Sequence, residues 1–155
     1  MVVAQSTDSV VRDNVLRGNA FGVGVWASAA VRNVIRGNSV YSNGMGISIV
    51  EGAHEILVEE NELFGNTEYG VSVVHEGSSA AIRRNSIYDN GRMGIQIDEG
   101  GNAGHPAPHV IGFDLSTGFV EGVTCPGCTV DAFSDSDDEG RIYEGSATAD
   151  GTGYF

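Results

Sequence analysis

Gly22, Gly46, Gly70 and Gly94 stand 24 residues apart. The same step of 24 relates Val23, Ile47, Val71 and Ile95, and again Val25, Ile49, Val73 and Ile97. Two asparagine columns, Asn14/Asn38/Asn61/Asn85 and Asn19/Asn43/Asn66/Asn90, step by 24, 23 and 24. A fixed period of this length means stacked solenoid coils, because one such unit cannot bury its apolar side without a neighbour.

Inside each unit the apolar positions follow a two-residue alternation over very short runs. Val11, Ile35, Val58 and Ile82 form one column, and Leu16, Val40, Leu63 and Ile87 a second. The Gly-Ile-x-Ile pair forms the third. Period two over a few residues means strands, not helices. Asn and Gly, which tolerate left-handed turn conformations, separate them. The leucine-rich alternative would need Leu-x-x-Leu-x-Leu, which does not occur. The expected fold class is therefore all-β: a parallel β-helix of about four coils of 23–24 residues, near 10–30, 31–53, 54–77 and 78–100, followed by a short antiparallel β module. Parallel crossovers favour the right-handed form. The asparagine columns are expected to be a buried structural ladder, each side chain bonding to its own turn and to the next coil.

At residues 100–108 the composition changes, with two prolines and three glycines in nine residues. This divides the chain into a β-helix at 1–100, a linker at 101–109 and a β module at 110–155. The 155 residues carry 21 acidic and 8 basic side chains, all eight of them Arg, for a net charge of −13. That balance argues against nucleic-acid and anionic membrane partners. No apolar run is long enough to insert in a membrane as a helix. The start Met1-Val-Val-Ala-Gln lacks the basic and long apolar regions of a signal peptide, so the expectation is a portion of a longer protein, with a cytosolic protein as the other reading.

On these repeats the coils resemble the right-handed parallel β-helix repeat family of the pectate-lyase-like superfamily, whose relatives include pectate lyases, C5-epimerases of uronic-acid polymers and many cell-surface proteins. The stretch from Cys125 through Gly145, with Thr148 to Phe155, resembles the immunoglobulin-like module that follows such β-helices in secreted bacterial and archaeal surface proteins. Only some 46 residues follow the linker, whereas a β-sandwich takes about 100, so the resemblance is to a partial module. Both resemblances imply an extracellular or cell-surface location.

Chemistry-bearing residues are few. One outward column reads Gly24, Ser48, Ser72, Gln96 and the next Trp26, Val50, Val74, Asp98, so Asp98 is its single acid. The following turn stacks Glu51, His75 and Glu99, with Glu76 adjacent. Glu51 and Glu99, two coils apart, would be separated by roughly 9–10 Å at strand spacing, near the upper limit for the two carboxylates of an inverting glycosidase. The other reading is a solvated turn. Arg12/Arg36/Glu59/Arg83 reads as an alternating-charge column, and Arg17/Tyr41/Phe64/Tyr88 as an aromatic stripe that either packs on itself or stacks on sugar rings. Cys125 and Cys128 have three readings: a disulfide across the Pro-Gly turn, a zinc site completed by His105 and His109, or a redox pair, for which the βαβ context is missing. The acidic run 135–140 lacks the spacing of an EF-hand and would hold calcium loosely. No cofactor is expected beyond such a structural Zn or Ca.

Two functional classes follow. The first is an extracellular structural or adhesive β-solenoid that self-associates head to tail into a filament, since no capping helix is evident at either end and open strand edges invite pairing. The second is a carbohydrate-binding or polysaccharide-processing module. The short turns between coils give no long loops to wall a cleft, which favours the first class and leans away from an enzyme.

Overall fold

The computed structural model describes residues 1–75, 78–98, 100–114 and 116–155. Each coil contributes three short strands, and like strands pair in parallel along the stack. The first sheet has five strands in the order β1 (Val2–Ala4), β4 (Phe21–Trp26), β7 (Met45–Val50), β10 (Val71–Val74) and β13 (Ile95–Asp98). The second stacks β2 (Val10–Arg12), β5 (Val34–Arg36), β8 (Ile56–Glu59) and β11 (Ala80–Arg83). The third stacks β3 (Val15–Arg17), β6 (Ser39–Tyr41), β9 (Glu62–Phe64) and β12 (Ser86–Tyr88). Register follows the sequence period, with Val25 opposite Ile49, Ile49 opposite Val73 and Val73 opposite Ile97.

The core is a set of columns. Val23, Val25, Ile35, Val40, Ile47, Ile49, Val58, Leu63, Val71 and Val73 are all fully buried. Burial of such side chains contributes about 1.5–3 kcal/mol each, which drives coils to stack instead of standing alone. The repeated glycine has a steric reason. A Cβ on Gly46 would lie 2.3 Å from the Gly70 carbonyl oxygen, so only glycine lets successive coils approach there.

Length is not uniform around the coil. Trp26 pairs with Val50, a step of 24, whereas Val31 bridges to His54, a step of 23. The corner between the first and second sheets therefore holds one more residue in the first coil than in the next, while the ladders on either side keep their register. Ala27, Glu51 and His75, at equivalent places in this corner, all have positive φ (78°, 57° and 72°).

The coil unit spans Met1–Gly104 and also takes in Ser134–Tyr143. Where the sequence suggests a linker at 101–109, Gly101–Gly104 forms a tight turn. In it the Asn102 Oδ1 accepts from the Ala80 amide at 2.7 Å, closing the last edge of the second sheet. The sequence shows no capping helix, and the cover at the late end is instead the non-helical segment Ser134–Tyr143. Ile87 N donates to Gly140 O at 3.1 Å, and Ser86 Oγ donates to Arg141 O at 2.7 Å, so this segment covers the last edge of the third sheet.

The second unit comprises His105–Phe133 and Glu144–Phe155. In it β14 (His109–Asp114) pairs antiparallel with β15 (Phe119–Val123), with an irregularity between Val110 and Gly112. Phe155 and Gly122 exchange backbone hydrogen bonds at 2.9 and 3.0 Å. A further two-stranded sheet joins β16 (Thr129–Ser134) and β17 (Ile142–Thr148). Cys125 and Cys128 form a disulfide with Cα atoms 5.4 Å apart.

Candidate functional site

On the outer surface of the five-stranded sheet lies a groove of about 330 Å³, lined by Phe21, Trp26, Met45, Ser48, Val50, Glu51, Ser72, Val74 and Gln96. Its origin is local. Strand alternation sends Val23 and Val25 into the core, which leaves Gly24 and Trp26 facing out. Gly24 has no side chain, so the indole folds across it; a Cβ there would sit 2.9 Å from the Trp26 Nε1. Phe21 meets that indole edge to face, with ring centroids 5.5 Å apart and planes at 87°, an arrangement that adds about 0.5–1.5 kcal/mol beyond burial. The two rings make one wall, with Met45, Val50 and Val74 continuing the apolar lining.

The floor is polar. Ser48 and Ser72 occupy the column expected to be outward, but they are only 3 % and 2 % exposed, covered by the larger neighbours. Ser72 Oγ lies 3.0 Å from Gln96 Oε1 and donates to it. An apolar wall over a few placed hydroxyl and amide groups is the general form of a small-molecule subsite.

Of the sequence candidates, Glu51 lines the groove. His75 takes the equivalent left-handed turn position one coil on and is exposed, as is Asp98 at the end of β13. Glu99, like Glu76, lies outside the described residues, so the Glu51–Glu99 pair is not defined. Among the described residues no group of three His, Cys, Asp or Glu is placed to hold a metal. Cys125 and Cys128 are bonded to each other, so as a disulfide neither offers a thiolate, and the zinc set with His105 and His109 is not assembled.

The remaining columns are structural. Asn38, Asn43, Asn61, Asn66 and Asn85 are at most 2 % exposed. Asn61 shows the pattern: its Nδ2 donates to Ile35 O, Glu59 O and Asn85 Oδ1, and its backbone N to the same Asn85 Oδ1. Asn33 is a further buried member at the corner before the second sheet, its Oδ1 accepting from Ser9 N at 2.9 Å; its partners at that corner are Ser and not Asn, so no repeated letter marks it. In the charged column Arg36 reaches Glu59 at 3.8 Å and more closely Glu60 at 3.2 Å, and Glu60 is also 3.9 Å from Arg84. The neighbouring residue thus shares the role expected of Glu59. Tyr41, Phe64 and Tyr88 stack on one another, with centroids 4.8 and 5.1 Å apart. Burial, with a 2.7 Å hydrogen bond to Glu62, pushes the Tyr88 phenol up to about 12.

The groove was not legible as a site because its wall joins residues from different columns, across a glycine. The signal that could have found it is Trp26 two residues after Gly24. In comparison with known proteins, a family model for the right handed beta helix region matches residues 1–106. No curated protein matches the sequence.

Proposed function

The chain belongs to the right-handed β-helix family, and from that premise we propose that it is an extracellular structural and adhesive module, whose contact face is the outer surface of the five-stranded sheet. The observation that carries this reading is the groove. The Trp26–Phe21 wall matches the apolar face of a sugar ring, and Ser48, Ser72, Gln96 and Glu51 match its hydroxyl edge. Supporting an extracytoplasmic setting are the Cys125–Cys128 disulfide and the net charge of −13. The tail is assigned to an immunoglobulin-like module on its resemblance, supported by its antiparallel pairs.

A polysaccharide-processing activity is the second reading, and Glu51 on the groove favours it. Hydrolysis by two carboxylates needs a partner acid across the sugar, and a calcium-assisted lyase needs several oxygen ligands and a base. Glu51 is the single acid among the described residues that line the groove, which places weight on binding.

Trp26 is the one tryptophan in the chain, so its emission reports on the groove directly. Titration with uronic-acid and neutral oligosaccharides should shift that emission saturably, and Trp26→Ala should lose binding by isothermal calorimetry while keeping the β-sheet circular dichroism. Emission indifferent to every glycan would remove the contact-face reading. Glycan cleavage that disappears in Glu51→Gln would establish the processing class instead.

A further inference from the structure

The asparagine ladders have a direction. In the second one, the backbone N of Asn19 donates to Asn43 Oδ1, that of Asn43 to Asn66 Oδ1, and that of Asn66 to Asn90 Oδ1, at 3.1 Å each. The early end of the stack therefore presents side-chain acceptors and the late end presents donors. At the late end, both donors of Asn90 meet a residue far outside the repeat. Its backbone N and its Nδ2 donate to Glu139 Oε2 at 3.2 and 3.0 Å. A carboxylate, which only accepts, stands where the Oδ1 of another coil's asparagine would be.

The substitution extends along the edge. The Gly140 carbonyl accepts from Ile87 N, and the Arg141 guanidinium lies 4.3 Å from the centre of the Tyr88 ring, where a further ring of the stripe would stack. The order is reversed, however: Glu139 lies beside Asn90 and Arg141 beside Tyr88. The segment therefore runs in the opposite direction to β12 and, lying against Asn90, Ile87 and Ser86, occupies the place where the next coil would stack.

We propose that Ser134–Tyr143 is a removable intramolecular stop on the last edge of the third sheet, and that this edge fits the third-sheet strand β3 of a second copy of this chain, stacked head to tail. The first coil has the complementary chemistry. It offers the Oδ1 atoms of Asn14 and Asn19 in the two ladder columns, beside the edge strands β2 and β3, on whose outward columns Val10 and Val15 lie. At the receiving end Ile95 and Ile97, members of columns that are otherwise fully buried, are 42 % and 44 % exposed. Self-association of the kind that open edges favour is then held in check by the chain's own segment. The groove plays no part in this.

Sedimentation of the full chain over a wide concentration range tests it, with amide hydrogen exchange at Ile87 and Asn90. The wild type should sediment as a monomer. Glu139→Leu with Arg141→Ala should lose protection at those amides and at least double in mass as concentration rises. Adding Val10→Lys and Val15→Lys at the opposite edge should return it to monomer, and Glu139→Gln, which keeps an acceptor, should stay monomeric throughout. Four results would overturn the proposal: a wild type that already polymerises, a double variant that stays monomeric, association indifferent to the two lysines, or a double variant that loses its β-sheet circular dichroism. The last would make the segment part of the folding unit and not a stop.

Discussion

At the scale of single residues, the ladder shows why a buried polar side chain can be the most constrained position in a β-solenoid. Asn61 donates to three backbone or side-chain oxygens through Nδ2 and accepts from both donors of Asn38. Leu at that place would fill the volume and strand those partners, so Asn61→Leu should destabilise by about 1–3 kcal/mol, read from urea melts. Tyr88 gives a pH signature. Its folded value of about 12 lies above the ordinary 10.0, so its contribution is present below pH 10 and is lost as pH rises through 12. Alkaline melts of wild type should fall across that window, and Tyr88→Phe should flatten the fall. The asparagines were legible because identical letters recur at one period. Glu139 was not, since it meets Asn90 from 49 residues away and no periodic pattern includes it.

At the scale of elements, protection should depend on position in the stack. Strands of the middle coils have neighbours on both sides, as β6 and β7 do, whereas β2 and β3 at the early edge have one. Native-state hydrogen exchange should therefore find the amides of β6 and β7 slowest and those of β2 and β3 markedly faster; uniform rates would contradict a stack that stabilises by nearest neighbours. The first sheet also allows a selective lesion. Gly24→Ala has to push the indole aside, so Trp26 emission should shift to the red while the melting midpoint moves little. Strand positions and pairing register were readable from the 24-residue step. The groove was not, because reading one column at a time omits the lateral contact between Phe21 and Trp26.

At the scale of the molecule, two units with different reinforcement should melt separately. The disulfide closes only the short loop from Cys125 to Cys128 in the second unit. Reduction should lower one calorimetric transition modestly, as small loops contribute least, and leave the coil transition in place. The division at Gly104 was half legible: the Gly-Pro stretch marked it, but nothing local to Ser134–Tyr143 announces that those residues belong with the coils. The corner between the first and second sheets carries a broader consequence. It absorbs a one-residue difference between successive coils while the asparagine corners keep their pairing. Loop grafts should therefore be accepted there and rejected at the asparagine corners. Since Glu51 of that corner also lines the groove, it is the place where a library of inserted peptides would acquire new specificities without redesign of the scaffold.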